Sequence, residues 1–385
     1  MIILDKKQYY QGLHRSGWSY VMIGIQMMKF DFPLIFDPIV DLETMYHTKP
    51  WIGVIHHTFN TDFANNCVEL FKKTSFIKSL LNCKGLITLT NYLRDQVVEE
   101  LYKLKIYNVP VHCLIHPTTF LCPRFTFKTY RSQVVHIGGW LRNPFSIYTL
   151  QVLPHIKKYS LRGHNMDHNF PQHESISSHV YRSRLSRPVY YDPPNQHRKL
   201  KFNTFSNYME QYIESCMTSV TIIDHLSDIK YDKLLTESIV FLDLIDCSAV
   251  NTVIECAVRN TPIIVNRHPA IEEILGIDYP GYYSNMYEAA SLINNVIKIF
   301  KCHKFLCDMD KTHLRINTFL SQLNNIIENT DVTPYEIDDY EECCICMESI
   351  LDDIDFTSCM HSFHKKCLHN WQRCNNTCPI CRTTL

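Results

Sequence analysis

The chain of 385 residues is poor in glycine, with 10 residues, and it has no apolar run that approaches the length of a membrane span. The low glycine count argues against functions that depend on glycine-rich phosphate loops. A membrane-spanning helix needs about 18 or more consecutive apolar residues, so we expect no contact with a membrane. The formal net charge of −1 gives no overall electrostatic case for a nucleic-acid partner.

An apolar export signal is also missing from the start of the chain, where residues 1–7 read Met-Ile-Ile-Leu-Asp-Lys-Lys. We therefore expect a protein that is not secreted and that works in the cytoplasm. A nuclear site stays open as well. The 17 cysteines are then expected to stay reduced, which favours metal ligation over disulfides wherever cysteines cluster.

Such a cluster fills residues 343–385, where cysteines and histidines recur in closely spaced pairs. A Cys-x2-Cys step lets two thiolates reach one ion from a tight turn, and a structural zinc ion takes four ligands in a tetrahedron. Eight ligands predict two zinc sites, and the spacing fits a cross-braced and a sequential pairing equally well. The candidate ligands are Cys343, Cys346, Cys359, His361, His364, Cys367, Cys378 and Cys381.

Zinc is also what a segment of this size requires, because about 45 residues bury too little apolar surface to fold unaided. The two histidines have no role in a disulfide scaffold. With four protein ligands each, both sites are expected to be structural, because a catalytic zinc keeps one position open. Cys344 and Cys374 remain spare and are expected to be partly buried thiols, and His369 is expected to face solvent.

The segment from Cys343 to Arg382 resembles a RING finger of the two-histidine type. Beyond the ligand spacing, the resemblance lies in Ile345, in the run 361–368, in Trp371 and in the run 377–382. It implies cross-bracing, with Cys343, Cys346, His364 and Cys367 at one ion and Cys359, His361, Cys378 and Cys381 at the other. It also implies a ubiquitin-protein ligase that forms no covalent intermediate of its own.

The resemblance further implies which residues contact partners. Ile345, Trp371 and Pro379 would form a shallow apolar groove for a ubiquitin-conjugating enzyme, and such a patch suits a binding hot spot. Arg382 would contact both that enzyme and ubiquitin, a role that suits the fork of a guanidinium group. The protein whose lysine receives ubiquitin is unknown.

The preceding region alternates short apolar runs with longer helical patterns, which predicts an α/β fold with parallel sheets. We expect a first Rossmann-like lobe at 1–125, a second at 130–330 with a closing helix over 309–328, an acidic linker at 331–342 and the finger at 343–385. The linker holds six acidic residues and no basic one. The expected strands are Pro33–Phe36, Trp51–Ile55, Gly85–Leu89, Val111–Ile115, Val134–Ile137, Val220–Ile223, Ile239–Leu242 and Pro262–Val265.

This large region resembles the two-lobed GT-B glycosyltransferase fold, in a divergent form associated with large DNA viruses. The resemblance rests on the runs 51–57, 87–94, 135–143 and 251–262. It implies a diphosphate cradle at Gly138-Gly139 with Arg142, and a ribose contact at Glu255. Retaining members carry a second glutamate eight residues earlier, where this chain has Cys247.

The sequence therefore predicts a large α/β region that recognises a target and a finger that recruits the ubiquitin machinery. Two alternatives stay open. The chain is either a nucleotide-sugar-dependent glycosyltransferase with an accessory finger, or a non-catalytic zinc-binding interaction protein.

Overall fold

The computed structural model of the protein describes residues 1–4, 6, 17–28, 34–42, 46–61, 65–138, 141–143, 145–161, 215–223, 226–330, 342–350, 354–357, 359 and 361–384. The expected insertion at 163–199, residues 331–341 of the acidic linker and Gly139 lie outside the described residues.

A five-stranded parallel sheet, in the order β1-β2-β3-β4-β5, forms the centre of the first lobe. Its central strand is apolar along its whole length because helices cover both faces. Trp51, Ile52, Val54 and Ile55 of β3, for example, are all fully buried. The strands are β1 (Ile2–Ile3), β2 (Ile35–Asp37), β3 (Trp51–Ile55), β4 (Cys83–Thr88) and β5 (Val111–Cys113).

Within the described part of the first lobe, four helices accompany this sheet. The longest, α4, has Thr90 as its N-cap residue. The Thr90 side chain accepts a hydrogen bond from the Leu93 N–H. It buries Leu93, Val97 and Leu101, a 4-residue repeat that places one apolar face on the sheet. The helices are α1 (Trp18–Met27), α2 (Asn66–Leu70), α3 (Thr74–Ser79) and α4 (Asn91–Lys103).

The second lobe contains a six-stranded parallel sheet in the order β11-β10-β9-β6-β7-β8. The chain moves outward from β6 to β8 and then returns to place β9 on the other side of β6. Such a reversal opens a crevice at the carboxyl ends of the two central strands, where α/β proteins bind ligands. The strands are β6 (Gln133–Ile137), β7 (Lys157–Leu161), β8 (Val220–Ile223), β9 (Ile239–Leu242), β10 (Ile263–Asn266) and β11 (Tyr282–Tyr283).

Helices again cover this second sheet. The best buried is α7, which ends where Asn260 takes the left-handed conformation (φ 58°). The helices described in this lobe are α5 (Ser146–Thr149), α6 (Asp228–Glu237), α7 (Asn251–Arg259), α8 (Pro269–Leu275), α9 (Met286–Ile293) and α10 (Val296–Asp308).

The closing helix α11 (Ile316–Glu328) follows the second lobe in sequence but packs on the first. Its Phe319, Leu323 and Ile327 are buried in the same apolar cluster as residues of α1. Gly24 of α1 makes this approach possible, because a Cβ atom there would lie 3.1 Å from the Ile316 side chain. The last helix of the large region therefore ties the two lobes together.

The finger folds around its own small core of Cys343, Ile350, Phe363, Leu368 and Cys378. Two antiparallel strand pairs and one helix build it. These are β12 (Glu342–Cys343) with β13 (Glu348–Ser349), β14 (Ile354–Phe356) with β15 (Ser362–His364), and α12 (Lys365–Gln372).

The predicted α/β class, with two parallel-sheet lobes and a small C-terminal finger, is confirmed. Among the residues that the structure describes, no helix has the length and apolar character needed to cross a membrane. The exact domain boundaries stay predictions.

Candidate zinc centre and partner surface

The structure brings the eight candidate ligands together as two groups of four. The first group is Cys343, Cys346, His364 and Cys367; the second is Cys359, His361, Cys378 and Cys381. Within each group, the possible ligand atoms all lie within 4.8 Å of one another. Each group takes members from two separate stretches of the finger, and this arrangement is cross-braced rather than sequential.

The spacing of these atoms fits zinc. A tetrahedral ion with the usual Zn–S and Zn–N distances holds neighbouring ligand atoms about 3.5–3.8 Å apart. In the first group, Cys346 Sγ lies 3.3 Å from His364 Nδ1. In the second, His361 Nδ1 lies 3.5 Å from both Cys359 Sγ and Cys378 Sγ. The two groups therefore suit two structural zinc ions, with each histidine presenting Nδ1.

Local electrostatics favour the thiolate form at two of these positions, and zinc binds thiolates. Burial opposes ionisation of Cys343, but surrounding backbone N–H groups lower the pKa of its thiol to about 6. At Cys381, hydrogen bonds from the Thr383 side chain and backbone lower the thiol pKa to about 6. These thiols are accordingly prepared to lose their protons when a metal binds.

Both Cys-x2-Cys turns have the same backbone form. The N–H of Met347 donates to the Cys343 carbonyl at 2.7 Å, and the N–H of Arg382 donates to the Cys378 carbonyl at 3.0 Å. Met347 and Arg382 each follow the second cysteine of a pair, and both are left-handed, with φ near 60°. The fold thus uses one tight turn twice to present two sulfurs to one ion.

The four expected partner-binding residues are at least partly exposed. Ile345, Trp371 and Pro379 are half-buried, and Arg382 is exposed. Ile345 packs against the core of the finger. The indole Nε1 of Trp371 donates to the Thr377 carbonyl at 2.7 Å, which fixes the ring while leaving part of it at the surface. Ile380, 48 % exposed, adds apolar surface beside Pro379.

One expectation for the spare residues was wrong. Cys344 and Cys374 are exposed rather than partly buried, because the first follows a ligand on the outer side of its turn and the second lies beyond the end of α12. His369 is exposed, as expected. None of the three belongs to either four-ligand group.

The crevice of the large region departs from what the GT-B resemblance implies. Cys247 is buried, and its sulfur lies 3.1 Å from His268 Nδ1. His268 Nε2 in turn lies 3.2 Å from an oxygen of Asp246. Glu255, the expected ribose contact, is 1 % exposed and accepts a hydrogen bond from the Tyr231 hydroxyl at 2.7 Å. The side chains at both family positions are thus held inside the lobe.

Arg142 lies at the expected phosphate cradle, but its side chain turns back to the protein. One Nη donates to the Ile137 carbonyl and the other to Thr252 Oγ1 at 3.3 Å. A Cβ atom at Gly138 would collide with this guanidinium group, so the glycine is needed to accommodate the arginine. Burial lowers the pKa of Arg142 to about 10.

Sequence reasoning missed a contact that joins the lobes. The Glu273 carboxylate accepts hydrogen bonds from the backbone N–H groups of Asn91 at 2.6 Å and Tyr92 at 2.8 Å. It also accepts the Asn91 side-chain amide at 2.9 Å. A carboxylate of the second lobe thus caps the N-terminus of α4 in the first, where the helix dipole favours negative charge.

Comparisons with known proteins agree with this geometry. The Ring finger domain family matches residues 341–382. An uncharacterized RING finger protein of Schizosaccharomyces pombe is 50% identical over 48 residues, which is 12% of this chain and 9% of that protein. A probable E3 ubiquitin-protein ligase of Arabidopsis thaliana is 42% identical over 48 residues, which is 12% of this chain and 7% of that protein. Each of these two matches covers only 48 residues, and this chain spans only a small part of the length of those relatives.

The large region is similar to glycosyltransferases in fold. The structure of sucrose-phosphate synthase from Thermosynechococcus elongatus superposes with a TM-score of 0.51 and 10% identity, over 80% of this chain and 76% of that one. Identity at this level shows the fold alone. The chain therefore combines a GT-B-like two-lobed region with a C-terminal, cross-braced zinc domain. That domain is a RING finger of the two-histidine type.

Proposed function

We propose that the protein is a RING-type ubiquitin-protein ligase. The observation that carries the proposal is the arrangement of eight candidate ligands in two groups, which would give each ion four protein ligands. Such sites leave no position for a reacting water, so the zinc ions act by holding a surface in shape. The eight residues of the two groups are the proposed ligands.

In this proposal the surface consists of the half-buried Ile345, Trp371 and Pro379, with the exposed Arg382 at its edge. In this proposal the three apolar residues dock a ubiquitin-conjugating enzyme. Arg382 then donates hydrogen bonds to that enzyme and to the ubiquitin it carries, which restricts the ubiquitin to orientations from which a substrate lysine can attack. The attacking amine and the thioester come from the partners, and the finger supplies position alone.

An autoubiquitination assay with a broad panel of conjugating enzymes tests the proposal. Ile345→Ala is expected to lower chain formation at least tenfold while both zinc ions stay bound, since truncating a hot-spot residue costs on the order of 2 kcal/mol. Ile229→Ala is the matched control, because Ile229 is 81 % exposed on α6 of the second lobe. No chains with any conjugating enzyme, from zinc-loaded protein, would favour a non-catalytic interaction domain.

For the two-lobed region we propose recognition of the protein substrate, without sugar transfer. Support comes from Cys247, which stands where retaining enzymes have a glutamate and is engaged with His268. Thermal melting in the presence of a set of nucleotide sugars separates this from the glycosyltransferase alternative. A rise in melting temperature together with transfer to an acceptor would favour the alternative.

A further inference from the structure

Thr357 occupies an unusual position beside the second group of ligands. It follows β14, lies two residues before Cys359 and is only 3 % exposed. Its hydroxyl oxygen is 3.1 Å from Cys359 Sγ and 3.7 Å from Cys378 Sγ. The backbone N–H of His361 donates to the same oxygen at 3.2 Å. One buried hydroxyl thus contacts three members of a single group.

The single proton of this hydroxyl has a preferred acceptor. The His361 carbonyl, 3.3 Å away, already accepts the Thr357 backbone N–H at 3.1 Å. The two sulfurs become thiolates when zinc binds, and hydrogen bonds to ionised acceptors are roughly twice as strong as neutral ones. The proton is therefore directed to sulfur, chiefly to the nearer Cys359.

Each group combines three cysteines with one histidine, so the second group, like the first, gains an excess negative charge that hydrogen-bond donors can stabilise. Three thiolates around a divalent cation leave one excess negative charge. Cys359 is half-buried and Cys381 is exposed, so this charge lies near the surface of the finger. Thr383 Oγ1 lies 3.1 Å from Cys381 Sγ. With Thr357 beside the other two sulfurs, every thiolate of the group has a hydroxyl within 3.7 Å.

We propose that Thr357 is a positioning residue of the second zinc site, whose hydroxyl donates to the ligand sulfurs and determines how tightly that site holds its ion. Groups that hydrogen-bond to metal ligands without binding the metal orient those ligands, and their loss commonly weakens metal affinity 10- to 100-fold. The inference rests on the zinc sites of the proposed function but not on ubiquitin transfer. The effect would extend to the turn from Cys378 to Arg382, which an ion bound at this site would hold in place.

The test is a competition titration of the full-length, zinc-loaded protein with a chromophoric chelator. Thr357→Val keeps the shape of the side chain and removes the hydroxyl, whereas Thr357→Ser keeps the hydroxyl. We expect valine to weaken one of the two ions about tenfold or more and serine to stay within about threefold of the natural protein. Thr384→Val, at an exposed threonine, is the control.

The serine variant decides the outcome even if the valine variant binds no zinc. Restored affinity with serine assigns the effect to the hydroxyl. Two results would overturn the inference. One is a zinc affinity of Thr357→Ser as low as that of Thr357→Val, and the other is a Thr357→Val variant that binds both ions as tightly as the natural protein. Autoubiquitination at saturating zinc separates the two proposals. If the natural protein forms no chains while the affinity difference persists, the ligase proposal fails and the role of Thr357 stands.

Discussion

The guanidinium carbon of Arg382 lies 5.8 Å from the centre of the Trp371 ring, within the range of a cation–π contact. Trp371 is itself fixed by its hydrogen bond to the Thr377 carbonyl. The arginine therefore starts from a defined position on the proposed partner surface, and its side chain is exposed to solvent.

Arg382→Ala is expected to slow ubiquitin discharge about tenfold or more and to weaken binding of the conjugating enzyme to a smaller extent. The reason is that hydrogen bonds to charged groups contribute about 1.5–3 kcal/mol, and about 1.4 kcal/mol is tenfold in rate. Arg382→Lys should be intermediate, because an ammonium group lacks the fork geometry. Single-turnover discharge of a ubiquitin-loaded enzyme to free lysine measures the effect. Arg373→Ala, at an exposed arginine after α12, is the control; an equal loss there would contradict the assigned role.

Substitution of a spare cysteine and substitution of a ligating cysteine should have different effects on the zinc content of the protein. Cys344→Ser and Cys374→Ser are expected to retain two zinc ions per chain, because both thiols are exposed and lie outside the two groups. Cys346→Ser removes one of four ligands and is expected to release the first ion and unfold the finger, since metal binding supplies most of the folding free energy of such domains. Elemental analysis after gel filtration gives the counts. Full zinc content in Cys346→Ser would contradict the ligand assignment.

The sequence predicted central strands such as β3 and β9 because they are buried on both faces, but it missed β1, β7 and β11. Continuous apolar runs such as Trp51–Ile55 and Ile239–Leu242 have few alternatives in an α/β chain, and both match the observed strands. Strand ends were less certain, as at β4, which begins at Cys83 rather than Gly85. The ligand groups could be proposed from spacing and resemblance together, because a short zinc domain permits few arrangements.

Contacts between distant segments could not be predicted in the same way. Glu272 and Glu273 are adjacent glutamates in the sequence, yet Glu272 pairs with Arg267 while Glu273 caps a helix of the other lobe. Apolar periodicity identified α11, although the helix begins at Ile316 rather than at the predicted Met309. It did not indicate which lobe α11 covers. Thr357 carries no motif, and its role depends on a hairpin that places it beside Cys378, 21 residues away.

Glu273→Gln should loosen the junction between the lobes. The amide keeps one acceptor oxygen but loses the charge that favours the N-terminus of α4, at an expected cost of about 1 kcal/mol at this cap. Hydrogen exchange of the Asn91 and Tyr92 amides should become about fivefold faster. Glu272→Gln tests the adjacent carboxylate, whose pairing with the half-exposed Arg267 is expected to contribute little. Unchanged exchange in Glu273→Gln would show that the cap does not hold the lobes.

Two buried histidines should make the large region sensitive to mild acid. Burial is the main cause that lowers the pKa of His116 to about 4 and that of His136 to about 3, from the ordinary 6.5. As pH falls below about 6.5, the unfolded chain binds protons at both positions while the folded protein does not. The free energy of unfolding should therefore decrease with falling pH, by up to about 1.4 kcal/mol per pH unit for each histidine, until the folded pKa is reached.

His136→Leu isolates one of these contributions. Nε2 of His136 is buried without a hydrogen-bond partner among the described residues, so leucine should be tolerated in β6. Urea unfolding of the large region at pH 7, 6 and 5, followed by fluorescence, should show a shallower pH dependence than in the natural protein. The same substitution at the exposed His155 should leave the slope unchanged. If His136→Leu retained the full slope, the His136 imidazole of the natural protein would have to be protonated in the folded state. That result would contradict the expectation from its burial, since His136 is only 2 % exposed.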